Sequence, residues 1–330
     1  MSTLYKPSLI LIGCGDWGKN IARTLSRMDV LAGIVDPSPH AIRLADELHV
    51  PVFSLEDALQ KEAVKGVVIA TPTPTHFSLA EQALQKGKSV LVEKPLAVKD
   101  TEIKSLKKIA DERGLTLMAG HLLVYHKAFQ HLVSGVRAGK LGKILRIETS
   151  RKNFGKVHAH EGVLWDLGPH DFSMILSLTK TLPTQVFSQA ESYVYEGKPD
   201  SQTILLSYEE GPSVKIELSR LHPFKEQKVV VIGTKGSIVF DDTKEWAEKL
   251  IFYANQIEIA SPLLTRQAGE AMALTPGEPL KEELTHFVEC LRTQKEPLSS
   301  ALQAQQVLSL IKAAESSDQN KSWVLMPQKE

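Results

Sequence analysis

The sequence predicts an α/β protein: a parallel sheet first, then an α+β domain with a mostly antiparallel, open sheet. Three observations lead there. Short apolar runs alternate with helix-like segments from Ser8 to about Gly120. The first of those runs enters a glycine string, Gly13-Cys14-Gly15-Asp16-Trp17-Gly18. Beyond about Val124, longer and partly alternating runs replace the earlier rhythm.

Leu9–Ile12 is apolar throughout, as in a strand covered on both faces. Val30–Val35, Val67–Ala70, Val90–Val92 and Leu115–Ala119 repeat the pattern. Lys19–Met28 reads as the first helix. Ser54 with Asp57 resembles a capping box, and Thr75 is placed to cap Phe77–Lys86, which stops at Gly87. Thr101–Arg113 puts Ile103, Leu106 and Ile109 on one face and ends at Gly114. Strand, helix, strand, repeated, gives a parallel sheet with right-handed crossovers.

In the second half a helix is expected over Lys127–Ala138, with His126 and His131 solvated beside it. Ile144–Arg151, Gln185–Tyr195, Thr203–Tyr208 and Val214–Leu218 read as strands. Val229–Ile232 and Ile238–Phe240, joined at Gly233–Gly236, read as a hairpin. Ala260 to Pro279 reads as loop, and Glu282–Leu291 and Ala301–Ala313 as closing helices.

A chain of 330 residues exceeds one ordinary core, so two domains are expected, 1–122 and 123–330. Lys+Arg and Asp+Glu are equal at 39 each, which leaves no electrostatic footprint for nucleic acid or an anionic membrane. The cysteines, Cys14 and Cys290, form no metal-ligand spacing and no disulfide framework, as suits a reducing cytoplasm. No apolar run approaches the ~20 residues that cross a bilayer. Met1–Pro7 has no basic-then-apolar signal pattern, so a cytoplasmic location is expected.

The glycine string is G-x-G-x-x-G between a strand and a helix, the context of a Rossmann dinucleotide fold. Gly13, Gly15 and Gly18 would serve a tight turn, close approach of backbone to a pyrophosphate, and helix–strand contact. The helix start would offer N–H donors to phosphate. Asp36 ends the second strand and can accept an adenosine ribose 2′-hydroxyl while repelling a 2′-phosphate, which favours NAD. A glycine-rich turn with a capping Asp is the plainer account.

Two further constellations carry chemistry. Val92-Glu93-Lys94-Pro95 ends a strand at the edge where open parallel sheets bind ligands. Lys94 could contact a reacting hydroxyl there, or be a solvated strand-end lysine. In Trp165-Asp166-Leu167-Gly168-Pro169-His170-Asp171, helical spacing places Asp166 and His170 on one face, where a carboxylate could orient a proton-accepting imidazole. A capping Asp with a surface His reads equally well. His158 and His160 have no evident third ligand, so no metal is expected. His76 is either a helix cap or a contact at the cofactor edge.

Together and in this order these motifs resemble the Gfo/Idh/MocA oxidoreductases. The marks are Gly13–Gly18 with Trp17 and Asn20, Ala70-Thr71-Pro72, Glu93-Lys94-Pro95, and Asp166 with His170. The resemblance implies hydride transfer between a sugar-like alcohol and a nicotinamide cofactor, NAD here. It implies that Lys94 contacts the reacting hydroxyl, that His170 accepts its proton, and that Asp166 binds substrate and supports the His. The cofactor set it implies is Gly13, Gly15, Asp16, Trp17, Gly18, Asp36, Thr71, Pro72, His76, Glu93 and Lys94. Arg151-Lys152-Asn153-Phe154-Gly155 and the Trp165–Asp171 stretch look closest to the UDP-sugar branch of the family. That implies a UDP-linked N-acetylhexosamine oxidised at C3, with Arg151, Asn153, Lys156, Trp165, Asp166 and His170 at the substrate. Lys156 and His158 stand where that branch commonly has arginines, and neither offers the bidentate fork of Arg. The labile keto product implies a downstream PLP-dependent aminotransferase. The open sheet, expected to leave an apolar face uncovered, implies a homodimer or homotetramer. The alternatives are the same chemistry on a free polyol or hexose, and an NAD-binding regulator without activity.

Overall fold

The computed structural model describes residues 8–257, 264 and 267–327. Strands β1 (Ser8–Ile12), β2 (Leu31–Val35), β3 (Val64–Ile69), β4 (Ser89–Glu93) and β5 (Leu117–Gly120) alternate with helices. Those helices are α1 (Gly18–Arg27), α2 (Pro39–Glu47), α3 (Leu55–Gln60), α4 (His76–Gln85) and α5 (Asp100–Arg113). There follow α6 (Lys127–Arg137), β6 (Ile144–Phe154), α7 (Val163–Asp166) and α8 (Gly168–Thr179). Next come β7 (Gln185–Glu191), β8 (Ser201–Ser207), β9 (Ser213–Ser219), β10 (Leu221–Gly233), β11 (Gly236–Asp241), β12 (Leu250–Tyr253) and β13 (Gly269–Ala271). Helices α9 (Pro279–Thr293) and α10 (Ala301–Asn320) precede the short β14 (Val324–Leu325). The signal reading of Met1–Pro7 lies outside the described residues.

Two compact units result. The first holds residues through Tyr125 together with Glu278–Leu308; the second holds His126–Gly277 and the residues from Ser309 onward. A single boundary at 122/123 misses the return of 278–308 to the first unit. Side-chain and edge hydrogen bonds cause that return. Ser299 donates its hydroxyl to Ala119 O at 2.6 Å and accepts Ala119 N–H at its own carbonyl at 2.9 Å, while the Tyr125 hydroxyl meets Ser299 Oγ at 2.7 Å.

The first unit is a parallel sheet in the order β2-β1-β3-β4-β5. Leu9, Ile10, Leu11, Val67, Val68, Ile69, Val90 and Val92 are fully buried, which is why these strands read as unbroken apolar runs. Ser54 Oγ accepts the Asp57 N–H at 3.1 Å, so the expected cap of α3 is present. Thr75 does not cap α4: its hydroxyl turns back to Pro72 O at 2.7 Å. α5 ends at Gly114 in the left-handed conformation (φ +62°), as the glycine signalled.

The second unit is built on a nine-stranded sheet in the order β13-β12-β11-β10-β6-β9-β8-β7-β14. It is mostly antiparallel, with β6 and β9 parallel. Helices α6 and α8 pack against each other, α6 on β11 and α8 on β6, where Ile147, Thr149 and Arg151 are buried. The alternate positions face away and are mixed, with half-buried Val230, Ile232, Val239 and Leu205 beside a run of charges. Lys152 meets Glu217 at 2.9 Å and Glu226 at 3.3 Å, Lys215 meets Glu217 at 2.6 Å, and Lys228 lies between Glu226 (3.6 Å) and Asp241 (3.8 Å). Cross-strand register turns polar alternate residues into a ladder of opposite charges.

Other departures have local causes. β7 stops at Glu191, short of Tyr195, because the buried Asp200 carboxylate takes the N–H groups of Tyr193 (2.8 Å) and Val194 (2.9 Å) and turns the chain. The stretch from Ala260 to Pro279, read as loop, contains β13, paired with β12; residues 260–263, 265 and 266 lie outside the described residues. His126 is buried. Its Nδ1 accepts the Ala128 N–H at 3.1 Å and caps α6, its Nε2 lies 3.2 Å from Asp242, and its ring stacks on Trp246. Among the described residues no helix is long and apolar enough to cross a membrane.

Candidate active site

The first unit makes a cradle largely from backbone. The order β2-β1-β3 places the switch point of the sheet between β1 and β3, where α/β proteins take ligands at the strands' carboxyl ends. β1 leads into Gly13 at φ +92°, and a Cβ there would lie 2.6 Å from Ala70 O at the end of β3. A Cβ on Gly18 would overlap Gly13 O, so α1 starts against the strand with no room for a side chain. Gly15 differs: nothing lies within 4 Å of a Cβ built on it. Packing of the chain does not require glycine at that position, whereas a pyrophosphate brought against the backbone does. The donors at the start of α1 suit the same anion. These residues fit a dinucleotide.

Asp36 follows β2. Its Oδ2 accepts the Cys14 N–H at 2.7 Å, and its Oδ1 accepts the Ser38 N–H at 2.8 Å and the Ser38 hydroxyl. Burial opposes its ionisation, but these hydrogen bonds outweigh burial and hold the carboxyl below the usual carboxylate range. Three of its roughly four acceptor positions are taken, which leaves about one for a ribose hydroxyl. His40, 2.7 Å from Cys14 O through Nε2, closes the same turn.

Glu93 ends β4. It accepts the Trp17 indole N–H and, at 3.1 Å, the Lys94 N–H, so one carboxylate ties the glycine loop to the strand that carries Lys94. Gly120 on β5 admits it: a Cβ there would lie 3.2 Å from Glu93 Oε2. Burial pushes the Glu93 carboxyl up, against those hydrogen bonds. Lys94 is partly exposed, and the Lys94–Pro95 peptide is cis. Asp16 is solvated and pairs with Lys19 at 2.9 Å. Thr71 Oγ1 lies 2.7 Å from the Thr75 hydroxyl, and Pro72 is exposed beside it. His76 is buried, with Nδ1 2.8 Å from Pro95 O and Nε2 2.8 Å from Thr71 O. It joins the two loop segments from inside.

Two buried groups here escaped the sequence reading. His121 Nδ1 lies 3.1 Å from Gln303 Oε1, and burial pushes its imidazole down to about 4, with the Lys94 ammonium acting in the same direction. Glu283 on α9 is buried with Oε1 lacking a hydrogen-bond partner; burial, then the Glu93 charge, raise its carboxyl well above the usual range. Nothing in the local pattern of either segment marks a polar core position.

In the second unit, Asp166 and His170 do not share one helix. α7 ends at Asp166 and α8 begins at Gly168, because Pro169 in its first turn has no N–H to continue the ladder. Leu167 keeps a right-handed conformation between them, so the two partly exposed side chains remain about a turn apart. Asp166 Oδ2 accepts two donors from Arg220, Nε at 3.1 Å and Nη2, and Arg220 Nη1 donates to Asn153 Oδ1 at 3.1 Å. Arg220 was invisible as a site residue, since it lies 54 positions from Asp166 and 67 from Asn153: the packing of α7 against β9 brings Asp166 to it, and the β6–β9 pairing brings Asn153. Arg151 is placed beneath this set: it is buried and its Nε binds Asp171, fully buried in α8, at 2.8 Å. The Trp165 indole donates to Glu315 at 2.6 Å. Lys156 is exposed in the irregular stretch after β6. A cavity of about 620 Å³ in this unit, lined by Val136, Ile147, Leu178, Tyr208 and Val231 among others, includes none of these residues. Among the described residues no group of three or more His, Cys, Asp or Glu is arranged to hold a metal ion.

Comparison with known proteins bears on both units. Residues 8–121 match the model of the oxidoreductase family with an NAD-binding Rossmann fold, and residues 129–239 match the GFO/IDH/MocA C-terminal domain. UDP-N-acetylglucosamine 3-dehydrogenase of Acidithiobacillus ferrooxidans is 33% identical over 213 residues, 64% of this chain and 66% of that relative, just under two thirds of its length. The NAD-dependent scyllo-inositol 2-dehydrogenase of Bacillus subtilis is 25% identical over 280 residues, 80% of this chain and 79% of the relative. The solved structure of the Acidithiobacillus enzyme superimposes with a TM-score of 0.83 at 25% identity, covering 95% of this chain and 98% of that one.

Proposed function

The chain belongs to the GFO/IDH/MocA oxidoreductase family, and on that premise we propose that it is an NAD-dependent dehydrogenase of a UDP-linked N-acetylhexosamine, UDP-N-acetylglucosamine oxidised at C3. The observation that carries the dehydrogenase reading is the glycine cradle with Asp36 held as an anion beside it. The substrate rests on the 33% identical relative and on the polar set Asp166–Arg220–Asn153.

NAD, when bound, supplies the hydride acceptor. Asp36 accepts a ribose hydroxyl, Gly15 lets the backbone meet the pyrophosphate, and the start of α1 donates to it. Lys94 donates a hydrogen bond to the reacting hydroxyl. His170 takes that hydroxyl's proton as the C–H bond breaks and the carbonyl forms. Asp166 holds the ring's hydroxyls and orients the imidazole. Binding energy from the uridine diphosphate is used to hold the sugar carbon in place, so removing the nucleotide should lower kcat as well as raise KM.

The 3-keto product is labile and its formation uphill, so a PLP-dependent aminotransferase is the natural consumer. A homodimer or homotetramer is tested by light scattering at micromolar concentration. The deciding assay follows reduced cofactor with UDP-N-acetylglucosamine, with and without such an aminotransferase and glutamate. Faster turnover of free myo-inositol or glucose than of every UDP-sugar overturns the substrate and installs the polyol reading, which the inositol dehydrogenase relative favours. Equal or better use of NADP overturns the role of Asp36.

A further inference from the structure

We propose that Arg220 is a substrate-positioning residue, whose guanidinium holds Asp166 and Asn153 along its edge so that the three together read the hydroxyls of an uncharged sugar ring. The inference rests on the sugar-dehydrogenase reading above and deepens it.

A guanidinium carries five N–H donors in one rigid plane. Nε and Nη2 both go to Asp166 Oδ2, and Nη1 goes to Asn153 Oδ1. Two N–H groups, the second on each Nη, are not used in these bonds, and the side chain keeps 19% of its exposure. The residue is also fixed at its root. Its N–H donates to Asp200 O at 2.8 Å, and its carbonyl accepts the Gly155 N–H at 3.0 Å. A stem pinned on both sides and a planar head bonded on two sides leave the Asp166 carboxylate little freedom.

Charge decides what such a set can bind. Arg220 and Asp166 are oppositely charged and in direct contact, so the pair presents no net cation to a diphosphate. It presents carboxylate and carboxamide oxygens beside N–H donors. That mixture suits sugar hydroxyls, each of which donates one hydrogen bond and accepts others. The set therefore belongs to the sugar ring, and the diphosphate is held elsewhere.

Arg220→Gln, Arg220→Lys and Arg220→Ala, assayed beside wild type, test this with UDP as a competing ligand. In Arg220→Gln, kcat/KM for the oxidised sugar is expected to fall ~10²-fold, as small misplacements of reacting groups do. Inhibition by UDP and affinity for NADH should not change. Arg220→Lys, a point charge without the fork, should stay about tenfold below wild type, and methylguanidine should restore part of the activity of Arg220→Ala. Weaker UDP inhibition in step with kcat/KM would make Arg220 a phosphate ligand and overturn the proposal. An unchanged kcat/KM in Arg220→Gln overturns it as well. If Arg220→Gln does not fold, Asn153→Ala carries the test, with the same UDP control and an expected drop of about tenfold. If wild type oxidises a free polyol and no UDP-sugar, the substrate reading fails by itself, and the same comparison of kcat/KM with NADH affinity on that polyol judges Arg220.

Discussion

The glycine loop of the first unit and the Asp166 cluster of the second are both polar and both sit at the ends of regular elements. Their construction differs. Around Gly13, Gly15 and Gly18 the requirements are on the backbone: a positive φ, a helix start against a strand, and an open approach. Around Asp166 they are on side chains that arrive from β6, α7 and the residue after β9, each set by an ion pair or hydrogen bond to a different element. A backbone site is spoiled by an added atom, which meets the chain at Gly13 and Gly18 and enters the open approach at Gly15. A side-chain site tolerates no lost partner.

The largest effect should come from the two groups proposed to do chemistry, one from each kind of site. Lys94→Met and His170→Ala should each lower kcat by ~10²–10⁴-fold while NADH still binds, as loss of general acid–base groups does. Near-normal turnover in either, with the fold intact, removes that residue from the mechanism.

Next is the partner rule of the second unit. Arg151→Met leaves Asp171 buried and unpaired, so stability should fall by about 3–5 kcal/mol in urea unfolding. Replacing both residues with apolar ones should recover much of that loss. A single variant as stable as wild type would break the contrast.

A pH titration probes the first unit's side-chain exception. His121 titrates near 4 in the fold against about 6.5 unfolded, so the unfolded chain takes up a proton that the fold refuses. Stability contributed by the neutral imidazole is present above about pH 6.5 and is lost as pH falls toward 4, by up to about 3 kcal/mol. Chemical denaturation across that window should show the slope in wild type and a flatter one in His121→Gln.

The smallest stability effect, and the sharpest comparison, lies within the loop. Gly18→Ala meets Gly13 O and should cost about 1–3 kcal/mol. Gly15→Ala meets nothing, so its Tm should stay at the wild-type value while NADH affinity drops. If Gly15→Ala binds NADH normally, the cradle is assigned to the wrong glycine.

The same contrast explains what was legible in the sequence. Unbroken apolar strands, the glycine loop and the acid after β2 are local patterns, and the parallel sheet and its cradle followed from them. The cap on α3 was equally readable because Ser54 and Asp57 are three residues apart. Arg220 was not, since no short window contains both it and Asp166. Arg151 looked like a substrate ligand because a sequence cannot show that its charge is spent on Asp171. The return of 278–308 to the first unit depends on Ser299 meeting Ala119 and Tyr125, contacts with no sequence period. The open face of the second sheet was legible in part: alternation predicts which residues face away, Val230, Val239 and Leu205 among them, and only register shows that Lys152 falls between Glu217 and Glu226.

The bond from the Trp17 indole to Glu93 gives the first unit an optical property. Trp17 is 40% exposed and sits inside the glycine loop, and its ring reports on the polarity at the point where loop and β4 meet. Three other tryptophans, at 165, 246 and 323, lie elsewhere in the chain, so a Trp17→Phe difference spectrum isolates its emission. That emission should change when NAD or NADH enters the loop, in the absence of any sugar. The loop thus carries an intrinsic fluorophore for titrating the cofactor before a substrate is known.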